Sequence, residues 1–403
     1  MSNIEEKLKS MEVRFDQEEF VVIDNGTGFV KAGFSGEDLP RLVIPTVVGE
    51  HIEEIDPSMQ NANDGLQEKK TYKFGNAAYQ NKGTHTLYEP IKRGLIRETI
   101  DQENMELIWT HIFDELSLEP KNCNVLMTHS PFAEKIDRQW MATTMFEKFK
   151  VKSFQLMNTA ALSMYSTGNV SGIVVESGEA LTYTAPVFEG YAIPHAILKL
   201  DIAGQDVTQQ LINELESQDI RVKGEKEHIR ELKEQMCSIS QNYSYDMQST
   251  DDPISVEDRS YELPGGQIIQ VNHRQRFKAT EIIFNPSIIN DPNPGIVQMC
   301  EKSIEMCDSD LKINLYNRIV LAGGSTLMPG FRDRFEEEII KLAENAKTDI
   351  NVYADLHRKN AAWIGGSMLA SFSTFKDMCI SKEEFEGTAE VEKTQVILKK
   401  SIN

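Results

Sequence analysis

Two stretches of this chain repeat one order of residues 152 positions apart (176 − 24). In the first, the apolar run Phe20-Val21-Val22-Ile23 leads into Asp24-Asn25-Gly26-Thr27-Gly28 and then a second apolar run containing Lys31. In the second, Gly172-Ile173-Val174-Val175 leads into Glu176-Ser177-Gly178-Glu179-Ala180 and then Leu181-Thr182-Tyr183-Thr184. Both read as strand, acid, polar residue, glycine, strand. β-branched runs around Asn-Gly are a hairpin signal. The repeat therefore predicts two similar domains with facing hairpins.

The rest of the chain fits an α/β fold, because strands alternate with amphipathic helices. A strand is predicted over Asn124 to Thr128. Helices are predicted over Asp101 to Leu116, Asp137 to Lys150, 223–241 and Phe331 to Leu342, each with apolar residues at helical spacing. Residues 50–70 carry six acids and the turn formers Asn61 to Gly65, which predicts an exposed loop or small flexible subdomain. The basic end, Lys393 to Lys400, reads as a solvated tail. At about 150 residues per domain, 403 residues make two to three domains.

Charge narrows the function. With 42 Lys+Arg against 63 Asp+Glu, the net charge is −21, which disfavours broad nucleic-acid binding. No apolar run approaches the roughly 18 residues of a membrane span. The polar, acidic start reads as neither a secretory signal nor a transit peptide. Five cysteines without a CxxC read as reduced, buried thiols.

Any phosphate site must then be built locally. Phosphate oxygens need several N–H donors at close range, and glycine lets the backbone approach. Gly26, Thr27 and Gly28 make one candidate jaw; Ser177, Gly178 and Glu179 make the other. Lys31 would neutralise a terminal phosphate, and Asp24 would hold a hydrated Mg2+. Gly323-Gly324-Ser325-Thr326 would accept a flat nucleoside. Each turn alone is weak evidence, since a glycine turn is usually only a turn.

The segments Val22 to Gly28 and Lys31-Ala32-Gly33-Phe34 resemble the opening phosphate hairpin of actin. The likeness continues through Phe74-Gly75-Asn76-Ala77-Ala78, Glu189 to Ala196, Leu200 to Gly204, Tyr261-Glu262-Leu263-Pro264, Leu321 to Thr326 and Trp363 to Ser367. It spans roughly residues 20–385. The resemblance to the actin and actin-related family implies a two-lobed fold of duplicated RNase H-like domains, with ATP or ADP and Mg2+ (or Ca2+) in the cleft. It also implies head-to-tail assembly with actin-like subunits, and a cytoplasmic, cytoskeletal setting or a nuclear or ciliary assembly.

Carried over by resemblance, Asp24 matches the metal-proximal acid, with Glu176 a second acid acting on the cation through water. Gly26, Thr27, Gly28 and Lys31 match the first phosphate loop, Ser177, Gly178 and Glu179 the second, and Gly204 a helix start. Lys233 and Glu234 match a pair near the ribose and base. Gly323, Gly324, Ser325 and Thr326 match the nucleoside loop, and Lys359 a base-side lysine. The departures fall on the hydrolytic positions: Thr159 where the family has Gln, Glu176 and Ala180 where it has Asp and Gly, and Tyr183 where it has His. These predict slow or absent hydrolysis, with an ordinary ATP-hydrolysing, filament-forming actin as the alternative. A sugar kinase of the same superfold would need an acid as catalytic base, and no segment offers one.

The expected division follows the same likeness. Residues 1–19 form an extension. Residues 20–49, 71–166 and 360–403 form the inner part of the first lobe, and the acidic stretch 50–70 belongs to its outer part. Residues 167–203 and 296–359 form the inner part of the second lobe, and 204–295 its outer part. The acidic 50–70 stretch and Ile288 to Pro294 replace more apolar contact segments, so poor self-polymerisation and a dedicated protein assembly are expected.

Overall fold

The computed structural model describes residues 19–53, 69–222, 224, 226–248, 259–263, 265–343 and 348–401. Most of the expected extension 1–19, the middle of the acidic stretch and Pro264 lie outside these.

Two six-stranded sheets organise the chain. The first runs, in spatial order, Ile380–Ser381, Ser153–Asn158, Asn124–His129, Phe20–Asn25, Phe29–Phe34 and Leu42–Pro45. Val21, Val22 and Ile23 are fully buried, as a strand covered on both faces must be. The second runs Tyr191–Ala192, Thr182–Phe188, Gly172–Ser177, Ile319–Ala322 and Val352–Tyr353, with Leu198–Leu200 also paired to Thr182–Phe188. In both, the acid-bearing strand pairs antiparallel with the strand after its turn and parallel with a later strand. The repeated sequence pattern thus becomes a repeated topology, the mixed α/β, two-lobed architecture expected.

Helices Thr159–Tyr165 and Ala361–Ala370 pack between the sheets. Ala160, Met164 and Ala361 share a core with Val174, Ala185 and Val320 of the second sheet. Leu162 and Trp363 share another with Phe20 and Val22 of the first. The two helices approach so closely that a Cβ on Gly365 would lie 1.8 Å from the Leu162 carbonyl oxygen. Thr159, at the start of one of them, therefore sits where the halves meet.

Several sequence expectations are corrected. The Asn25-Gly26 pair is not the centre of a two-residue turn, because Asn25 still pairs with Val30. The Asn25 amide is committed inward, donating to the Thr128 carbonyl and accepting from Trp109 Nε1. The ends of the acidic stretch are strand, not loop: Val48–Glu53 pairs with Lys69–Phe74, and Glu50 and Glu53 are matched by Lys70 and Lys69. The basic end is a docked helix, Glu390–Lys400. Its Ile397 is buried, and Lys400 Nζ reaches the Cys379 carbonyl and Glu384. The helices lie at Thr99–Glu115, Lys135–Glu147 and Lys226–Met236. Periodicity marks the core-facing residues, whereas the ends are set by local bonds, such as the Glu134 N–H donated to Asp137. All five cysteines are buried and unpaired, as expected.

Candidate functional site

The two hairpin tips meet. A Cβ on Gly28 would lie 2.8 Å from the Cβ of Glu179, so the first turn approaches the second only because position 28 is glycine. Beneath them is a cavity of about 410 Å3, lined by residues from both sheets. Asp24, Gly26, Thr27, Gly28 and Lys31 line it from one side, and Glu176, Gly178 and Glu179 from the other. Gly323, Gly324 and Ser325 form a further wall, with Lys233, Glu234 and Lys359. Thr159 and Tyr183 also face it.

The two acids occupy equivalent register positions but have different partners. Asp24 lies opposite Lys31 across the first hairpin, and Lys31 Nζ is 2.7 Å from Asp24 Oδ2. The other oxygen accepts from Thr128 Oγ1 at 2.9 Å. Glu176 lies opposite Tyr183 across the second hairpin, and its Oε2 accepts from the Tyr183 hydroxyl at 2.6 Å. That hydroxyl is also 3.0 Å from Thr159 Oγ1. Burial raises the Glu176 carboxyl above the usual carboxylate range, with the Asp24 charge acting in the same direction, against the Tyr183 hydrogen bond and Lys31. Burial, and then Glu176, lifts the Tyr183 phenol well above its ordinary value.

Three expected site residues support the walls from behind. Ser177 is buried, and its hydroxyl is 2.8 Å from Thr182 Oγ1. Thr326 is buried, accepting from Arg358 Nε at 2.9 Å. The N–H groups of Gly204 and Gln205 donate to the carbonyls of Gly178 and Glu179, so this helix start is spent on the second turn. The Gly204 carbonyl in turn accepts from Lys233 Nζ at 2.8 Å. Burial lowers the Lys233 pKa, against the opposing charges of Glu179 and Glu234.

The sequence matches the family model described as Actin over residues 15–226 and 221–396, nearly the whole chain. The chain belongs to the actin family. Actin-family proteins generally bind a nucleotide with a divalent metal and associate with actin-like subunits. Among the described residues, no helix is long and apolar enough to cross a membrane.

The cavity of this actin-family chain fits such a ligand. Its volume lies within the roughly 300–1,000 Å3 of small-molecule sites. A Cβ on Gly324 would meet nothing within 4 Å, so that glycine leaves open space at the wall assigned to the nucleoside. Among the described residues, no group of three His, Cys, Asp or Glu is placed to hold a metal. A cation beside Asp24 and Glu176 would thus rely on phosphate oxygens and water.

Other residues that bound the actin cleft carried no warning in the sequence. Arg93 reaches Ala180 and Asp206, and Gly94 donates to Thr27. Lys82 Nζ reaches the Gly224 carbonyl at 2.7 Å and Glu227 at 3.2 Å. Arg230 lies over the rings of Phe29 and Tyr79. The partners of Lys82, Arg93, Gly94 and Arg230 lie far along the chain, and no spacing rule marks them.

Proposed function

We propose that the cleft holds ATP or ADP with Mg2+ or Ca2+, that hydrolysis there is slow or absent, and that the protein acts as a structural subunit. Nucleotide binding is supported by the cavity under the two glycine turns, lined from both sheets. Lys31 would face phosphate, Asp24 and Glu176 the waters of the cation, and Gly323 to Ser325 the nucleoside. When bound, the cation neutralises phosphate charge.

The observation that carries slow hydrolysis is the chain Thr159–Tyr183–Glu176. A water attacking a phosphate must be held within hydrogen-bond reach of a positioned acceptor. Here both hydroxyls are engaged with each other and with Glu176. The Thr159 side chain is also shorter than Gln, and displacing a reacting group by about 1 Å can cost on the order of 100-fold in rate. The test is phosphate release by the purified protein with Mg-ATP. Little or no turnover is expected, and turnover comparable to ordinary actin would contradict the reading. The second reading, an ordinary hydrolysing actin, is favoured by Asp24, Lys31, Gly323 and Gly324, which line the cavity without alteration.

Assembly with a dedicated partner or in a mixed filament is supported by two segments committed to their own body. Glu50 and Glu53 are paired within their own sheet. Ile288 packs on the second-lobe core, and Asn290 turns the chain left-handed after Pro286–Ile289. No direct contact with nucleic acid or membrane is proposed. A cytoskeletal, cytoplasmic location is part of the same proposal.

A further inference from the structure

A second cavity, of about 760 Å3, shares no lining residue with the cleft. It lies between Gln241 to Ser244, the loop from Pro286 to Gly295 and the helix Phe331–Leu342. The loop holds its shape through its own residues. Pro286, Pro292 and Pro294 restrict its backbone. A Cβ on Gly295 would lie 1.8 Å from the Phe284 carbonyl oxygen, so only glycine lets the loop close on Phe284. The cavity is thus formed by the fold itself, as small-molecule sites usually are.

Its buried acid is short of a partner. Glu281 is 3% exposed and lines the cavity. Its Oε1 lies 3.3 Å from Arg334 Nη2, but its Oε2 has no hydrogen-bond partner among the described residues. A buried polar atom left unpaired is costly and asks for an explanation. The bases of the lining are already engaged. Each Arg334 nitrogen has an acceptor: Nε the Glu338 carboxylate, Nη1 the Ser240 carbonyl at 2.5 Å, and Nη2 Glu281 itself. Lys341 is paired with Glu337. With Asp291, the lining carries four acids against these two bases, an excess of negative charge. Among the described residues, no group of three His, Cys, Asp or Glu is placed to hold a metal, which favours an organic cation over a metal ion.

We propose that this cavity binds a small organic cation with N–H donors, a primary ammonium or a guanidinium, anchored on Glu281 Oε2. Arg334 keeps the other carboxylate oxygen in place. Binding here is independent of the nucleotide in the cleft. It also carries a proton signature. Burial pushes the empty carboxyl up to about 7 against Arg334, with Glu338 acting in the same direction as burial. Tyr243 also faces Glu281, and burial and then that charge raise its phenol, so it stays neutral. Asp291, Glu337 and Lys341 complete the charged lining. An arriving cation must therefore displace the Glu281 proton, and binding tightens as pH rises.

Calorimetric titration of the full-length protein with n-propylguanidinium and n-propylammonium chlorides tests this. The association constant of the tighter probe is expected to rise about tenfold between about pH 6 and about pH 8, as a carboxyl titrating near 7 ionises. Tetramethylammonium has the same charge and no N–H, and is expected to bind at least tenfold more weakly. Glu281→Gln is expected to weaken the tighter probe at least tenfold at about pH 8, whereas Asp114→Asn, an exposed acid of the first lobe, leaves it unchanged. If Glu281→Gln does not fold, hydrogen exchange of the wild-type chain replaces it. Saturating n-propylguanidinium is then expected to slow exchange in peptides covering Gln241 to Ser244 and Ser287 to Asn293, and not in those covering Gly26 to Phe29. Failure of both probes to bind, an association constant independent of pH, equal binding of tetramethylammonium, full binding by Glu281→Gln, or no protection of those peptides would each overturn the site.

Discussion

The Tyr183 hydroxyl meets Glu176 across the second hairpin at the same step of the ladder where Lys31 meets Asp24 across the first. One acid is paired with a cation, and the other accepts a hydrogen bond from a neutral phenol. The duplicated halves share a backbone and differ in the charge they present to the cavity. The Thr159 hydroxyl closes the second arrangement into a chain.

Opening that chain is expected to restore turnover. The double variant Thr159→Gln, Tyr183→His returns two positions to the family's residues and frees Glu176. Single-turnover phosphate release from Mg-ATP is expected to rise by about tenfold or more, since positioned proton-transfer and water-orienting groups contribute on that scale. An unchanged rate would show that the tied hydroxyls are not what limits hydrolysis.

Two glycines separate fold from binding. Gly324 lines the cavity and a Cβ there meets nothing within 4 Å, so Gly324→Val is expected to keep thermal stability within a few degrees while nucleotide affinity falls at least about tenfold. Gly365→Ala drives a Cβ against the Leu162 carbonyl, and is expected to cost about 2 kcal/mol or more of stability. Denaturation midpoints and nucleotide titration distinguish the two. A Gly324→Val chain that binds normally would remove that wall from the site.

What the sequence made legible was local. Gly26, Gly28 and Gly178 announce turns, and Asp24 and Glu176 stand at the ends of apolar runs, so both jaws and the repeated topology could be read from neighbours in sequence. Of the residues expected at a nucleoside, Gly323, Gly324 and Ser325 line the cavity. Thr326 stands behind that wall, its hydroxyl bonded to Arg358, a partner 32 residues away that spacing does not reveal. Arg93 was invisible for the same reason, as its partner Asp206 lies 113 residues on. Lys393 and Lys400 read as a solvated tail because charge alone does not reveal Glu147 and Glu384, to which they are paired.

Stability is expected to carry a signature from Glu281. The residue is 3% exposed. One oxygen meets Arg334 at 3.3 Å, and the other has no hydrogen-bond partner among the described residues. Burial pushes its carboxyl up to about 7 despite Arg334. The folded state therefore holds this proton where the unfolded chain has lost it. Its contribution is present below the ordinary carboxylate range, near 4.5, and is lost as pH rises through about 7. Glu281→Gln is expected to flatten that dependence by up to about 3 kcal/mol. Urea midpoints of both proteins at about pH 4 and about pH 8 check it. Parallel pH profiles would contradict it.

Assembly gives a separate test. Pure protein in Mg-ATP and salt is expected to stay in the supernatant on high-speed sedimentation, because Glu50 and Glu53 are already paired internally and would need desolvation at an interface. Pelleting of the pure chain as filaments would count against a dedicated partner.

The account turns on whether the two hairpins close on a nucleotide. Acid extraction of natively purified protein, with chromatography of the extract and elemental analysis of the metal, measures this directly. A stoichiometric amount of ATP or ADP with Mg2+ or Ca2+ is expected. A folded chain that yields no nucleotide, and takes up none when offered Mg-ATP, would contradict it.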